Sequence, residues 1–192
     1  CPTRYFIYAS IRTFAVEKLK AAGPDDVPYQ QVIDQMAAHY APLGSSDALD
    51  ALDGLEAQDR RRRLGLEFDN LRLSAVHGTS LADATHCAVA ACAVLDFQGP
   101  LSAGARLLEE ILSRADVSDF QRMRLAPLMS RFQEQDNTRS MRLQLLSEAL
   151  ITAREWNSSR FEGILLRSMG TLHHEEGNTA EAETHYQLAL TA

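Results

Sequence analysis

Three short stretches decide the fold: LLEEIL (Leu107–Leu112), LLSEAL (Leu145–Leu150) and HYQLAL (His185–Leu190). They lie 38 and then 40 residues apart, and the same two steps link Gly99, Asn137 and Gly177, each set between two helical patterns. The offsets superpose Leu108, Leu146 and Tyr186, and also Ile111, Ala149 and Ala189. One register shared by turns and apolar positions marks an internal repeat. Each turn residue follows a helix, where a residue in the left-handed conformation ends it; Gly does this freely and Asn is its commonest substitute. Small residues recur where helices must cross closely: Cys92, Ser130 and Gly170 in the first helices, Gly104 and Ala182 in the second. Arg142 departs from that pattern. Pro127, inside the first helix of the middle unit, removes a hydrogen bond to the carbonyl of Met123 and is expected to bend that helix.

Outward from these stretches the spacing predicts six helices beyond Gly78, at about 81–97, 101–114, 119–135, 139–155, 158–176 and 179–191. Ahead of them, Ile11, Phe14, Ala15, Lys18 and Leu19 follow helical spacing and stop at the Gly23-Pro24 breaker. A second helix is expected over Tyr29–Tyr40, and a long one over Glu56–Val76 with Leu64, Phe68, Leu71 and Ala75 on one stripe. GSSDALDALDG (Gly44–Gly54) between them is read as polar punctuation. Alternation in RYFIYASI (Arg4–Ile11) predicts a short strand at Arg4–Tyr8. The fold class expected is all-α, in antiparallel helix pairs, apart from that strand. The preference for Ala and Leu over Val and Ile points the same way.

The chain has 192 residues, enough for one continuous core or a short repeat array, and its hydrophobic content of 45% is that of a folded domain. No stretch approaches the ~20 apolar residues of a membrane span, and no signal-peptide pattern opens it. It begins at Cys1 rather than Met and stops in mid-pattern, so a fragment of a longer protein is expected. On a helix Cys87 and Cys92 point roughly 140° apart and cannot bridge. They are read as core thiols of a reducing, cytoplasmic compartment. A net charge of −7 argues against a principal nucleic-acid contact, and the one basic run, Arg60–Arg63, is read as a solvated helix face.

The last unit resembles the tetratricopeptide repeat: Leu166, Met169, Gly170, His173, Gly177, Ala182, Tyr186 and Ala189 fall at that family's spacing, with His173 where an aromatic is usual. The other two units match at small and apolar positions, and all are longer than the common ~34 residues. RYFIYASIRTFAVEKL (Arg4–Leu19), MAAHYAPL (Met36–Leu43) and LEFDNLRLSAV (Leu66–Val76) resemble, in that order, segments that follow the nucleotide-binding and winged-helix modules of bacterial STAND-class signalling ATPases and LuxR- or AfsR-type regulators. The resemblance implies the end of a winged-helix-like module and a linker helix over 1–22, helical linker and first array helices over 23–78, and three helix pairs over 79–192. It further implies that the pairs stack as a right-handed superhelix with the first helices lining a groove. No GxxxxGK[ST] stretch occurs, so the ATPase itself is expected outside this segment.

HHEE (His173–Glu176) invites a metal reading, yet consecutive residues diverge by ~100° and the HExxH order is absent. His173 is expected to pack inward, with His174 and Glu175 outward. Glu67 and Asp69 of EFDNLR lie on different helix faces; Asn70 and Arg72 are expected to tie neighbouring helices. No catalytic, cofactor-binding or metal-ligating set is readable. The expected function is therefore non-enzymatic: a peptide or amphipathic helix of a protein partner, or another domain of the same chain, lying in a groove carrying Asp96, Arg131, Glu134, Arg167, Thr171 and His174. Neither Arg131 nor Arg167 has an acid four residues away on its own helix, so each is read as free to face an external anion, with an ordinary solvated side chain as the alternative. Two other readings stand beside it: a small-molecule effector held near Phe97 and Phe132, and a plain oligomerisation scaffold.

Overall fold

Short turns break the chain into a succession of helices. The computed structural model describes residues 9–21, 28–54, 56–133 and 139–192, and every regular element among them is helical. The α-helices are α1 (Ala9–Lys20), α2 (Tyr29–Tyr40), α3 (Ser46–Asp50), α4 (Ala57–Leu66), α5 (Phe68–His77), α6 (Leu81–Gln98), α7 (Leu101–Leu112), α8 (Asp119–Phe132), α9 (Arg139–Glu155), α10 (Ser159–Glu175) and α11 (Thr179–Thr191). Two 3₁₀ turns, Ala41–Gly44 and Ala51–Asp53, flank α3. The expected strand at Arg4–Tyr8 and the turn at Asn137 lie outside the described residues. No helix among the described residues is long and apolar enough to cross a membrane.

The helix ends follow from their residues. Ser80 accepts from the Asp83 N–H at 3.3 Å and starts α6; Ser45 does the same for α3 through Ala48. Gly99 ends α6 at φ +66° and Gly177 ends α10 at φ +77°. After α10 the Asn178 N–H reaches the His173 carbonyl and the Gly177 N–H reaches His174, the paired bonds of a Schellman cap. Asn157, at φ 50°, closes α9 with the same two bonds, from Ser158 to Ala153 and from Asn157 to Arg154.

The long helix expected over Glu56–Val76 is two helices. It breaks at Glu67, two residues after Gly65, a poor helix former that lies against the Gln98 side chain. The stretch read as polar punctuation is α3 with its following 3₁₀ turn: Leu49 and Leu52 pack against the core, a tertiary gain that local composition conceals. Pro127 sits inside α8, which runs unbroken through it.

Beyond Gly78 the helices pack as α6 on α7, α8 on α9 and α10 on α11, and the first members also touch one another, α6 with α8 and α8 with α10. α6 (LADATHCAVAACAVLDFQ) is buried along ten of its residues, as expected of a helix apolar all round. Two cores result. The first gathers Leu71, Ala75, the Cys87–Leu95 run, Leu108 and Ile111; the second gathers Leu146, Leu150, Leu165, Leu166 and Leu172. α8 serves both, giving Leu125, Met129 and Phe132 to the first and Met123 and Ala126 to the second. Arg142, where a small residue was expected, is buried; its Nε donates to the Ser130 carbonyl at 2.7 Å and a second nitrogen lies 3.7 Å from Glu175.

Candidate binding groove

A helix presents one face through residues three, four, seven and eight apart. The three first helices turn such a face to a common groove of about 900 Å³. α6 supplies Val89, Cys92, Ala93, Asp96 and Phe97; α8 supplies Arg124, Pro127, Leu128 and Arg131; α10 supplies Phe161, Ile164, Arg167, Ser168, Thr171, Leu172 and Glu175. Positions made equivalent by the 38/40 register lie together in this lining: Val89 with Pro127 and Arg167, and Ala93 with Arg131 and Thr171. The rim on one side is the α3 segment, through Leu49, Asp50, Leu52 and Asp53, with Arg61 of α4 beside it.

Of the six expected groove residues, Asp96, Arg131, Arg167 and Thr171 line it. Glu134 lies outside the described residues. His174 is exposed and outside the lining; Glu175, four residues on from Thr171, takes the groove position instead. Arg131 is not open to an external anion as expected, because Asp96 of α6 holds it at 2.7 Å. The pairing crosses from helix to helix, which a search four residues along one helix does not detect. Arg167 is exposed and has no ion pair among the described residues. Phe97 lines the groove under the Arg61 guanidinium, 5.7 Å from its ring centre, whereas Phe132 is buried in the first core.

Four more arginines complete the lining, none of them assigned to a groove from the sequence; Arg61 comes from the run read as a solvated face, and Arg142 from the position where a small residue was expected. Arg160 reaches Asp50 at 2.8 Å across 110 residues of chain, and Arg61 reaches Asp53 at 2.7 Å. Arg142 reaches in from α9. Arg124 donates to the Gly44 carbonyl at 2.8 Å and lies 2.9 Å from His86 Nε2; burial lowers its pKa. Arg124 was detectable, since it stands seven residues before Arg131 on the same face of α8. The long-range pairs carry no local signal.

The other candidates settle as packing or surface. In the Arg60–Arg63 run, Arg60 pairs with Glu56 and Arg63 with Asp59 on the helix's own exposed face. Asn70 ties α5 to α2 through the Tyr40 hydroxyl at 3.0 Å, while Arg72 is exposed and makes no such tie among the described residues. In HHEE, His173 is half-buried and stacks on His185 of α11 at 5.0 Å, and Glu176 pairs with Arg139. Among the described residues no three His, Cys, Asp or Glu side chains converge as a metal site needs. Burial pushes the Cys87 and Cys92 thiols up to about 12, and both are free. No family model matches the chain, and no curated protein or solved structure is significantly similar to it.

Proposed function

We propose that this chain is a non-enzymatic, tetratricopeptide-like helical domain that serves protein–protein interaction or effector sensing within a bacterial signalling ATPase or transcriptional regulator. The observation that carries the reading is the groove: three first helices give it one face each, in the register of the repeat. Such a surface suits an extended peptide or an amphipathic helix, held by side chains from several repeats at once. Its lining mixes apolar patches with charged hydrogen-bonding groups, the combination that gives a partner both affinity and orientation. The stated resemblance in EFDNLR and the repeat positions supplies the cellular setting.

The test is a displayed-peptide selection run against the chain and against Ala93→Trp, which places a large ring in the groove from a half-exposed position on α6. Peptides that bind the first and not the second, with unchanged melting of the variant, support the reading. Selected peptides indifferent to Ala93→Trp would reject the groove as the binding face.

A further inference from the structure

The charges lining this groove do not balance. Its acids are Asp50, Asp53, Asp96 and Glu175, and an arginine meets each: Arg160, Arg61, Arg131 and Arg142. Two arginines are left over. Arg167 projects from α10 with no ion pair among the described residues. Arg124 is half-buried, yet its partners are neutral. The His86 Nδ1 lies 2.8 Å from the Ala82 carbonyl, which assigns the proton to that nitrogen and leaves Nε2 as an uncharged acceptor for Arg124. A cation drawn out of water without a counter-ion is costly, so an anion arriving from outside gains there.

The chain also shows what kind of anion such arginines hold. The segment Ser46–Asp53 reads SDALDALD. From the rim it directs Asp50 and Asp53 to Arg160 and Arg61, while Leu49 and Leu52 pack on the apolar wall. Elsewhere in the lining an arginine again shares a helix with a nearby aliphatic residue: Arg124 stands four residues before Leu128 on α8, and Arg167 three after Ile164 on α10. We propose that the open part of the groove takes a short acidic, leucine-containing segment of a partner protein, its carboxylates on Arg124 and Arg167 and its leucines against Leu128 and Ile164. This rests on the groove being the binding face.

The probe is a fluorescein-labelled peptide copying Ser45–Gly54, SSDALDALDG, titrated by anisotropy against the full 192-residue chain at low ionic strength. It is expected to bind, and to bind less as salt rises. A copy with every Asp replaced by Asn is expected to bind at least tenfold more weakly. Arg167→Ala is expected to weaken the acidic copy about tenfold to a hundredfold, with unchanged melting, because the exposed side chain supports no packing. Arg124→Lys, which keeps the charge near Gly44, is expected to weaken it less. Failure of the acidic copy to bind, equal binding of the Asn copy, or wild-type affinity in Arg167→Ala overturns the proposal. So does dependence on Arg160 instead, which means exchange with the chain's own segment, or equally strong competition by citrate, which means a small-anion site. If neutral or basic peptides are selected by the chain and lost in Ala93→Trp, the functional reading stands and only the acidic occupant falls.

Discussion

Two glycines show how differently a single residue can be required. Gly177 is needed for its φ of +77°: a Cβ there would meet nothing within 4 Å, so the cost of a side chain is conformational alone. Gly177→Val is expected to destabilise the protein by about 1–2 kcal/mol, read from the urea midpoint, and an unchanged midpoint would show that the Schellman cap is not formed. Gly44 is needed for space. A Cβ there would run into the carbonyl oxygen of His86, backbone that cannot swing aside. Gly44→Ala should therefore lift the Ala41–Gly44 turn off α6 at a cost of about 3 kcal/mol or more; a variant that melts like the parent would place the turn elsewhere. Only the first requirement was legible in the sequence. Gly177 stands at a repeat boundary after a helical run, a local signal. The demand on Gly44 comes from a helix some forty residues further on, and nothing beside it announces that.

The seam between α10 and α11 is where a pH change acts. His185 stacks on His173, its Nδ1 is buried without a hydrogen-bond partner, and Arg139 lies 2.8 Å from His173 Nδ1 with Glu176 beside it. Burial first, and then the charge of His173, hold the His185 pKa below its ordinary value of 6.5. As pH falls below about 6.5 the unfolded chain takes up a proton that folded His185 resists, so stability is lost on acidification. Melting temperatures measured from pH 7 to pH 5 are expected to fall, and to fall less in His185→Gln; equal slopes would mean that the seam does not resist protonation. Element boundaries were legible wherever a turn residue or cap stood at the end of an apolar period, as for α6 and α9–α11. They were not legible at Glu67, where the stripe of Leu64, Phe68, Leu71 and Ala75 runs on through the break. Nor did α3 show itself, because its helix is held by Leu49 and Leu52 meeting a core assembled from later residues.

At the scale of the molecule, the offsets of 38 and 40 already contained the rows of the groove, since equal positions in successive units face the same way. What they did not contain is the electrostatic closure: Asp50 on Arg160 and Asp96 on Arg131 depend on which helices meet, not on the period of any one. The helix α8 has a consequence of its own. Because it is a wall of both cores, neither core can open while the other keeps that wall in place, and the two should behave as one cooperative unit. Leu165→Ala, which removes a fully buried side chain from the second core, is expected to cost about 2–5 kcal/mol and to speed chemical labelling of Cys87 in the first, a thiol whose reactivity burial otherwise suppresses. A labelling rate indifferent to Leu165→Ala would mean two independently opening halves. By the same coupling, a segment seated against α8 would pin the wall from the groove side and slow that labelling. Cys87 would then report occupancy of a surface it never touches.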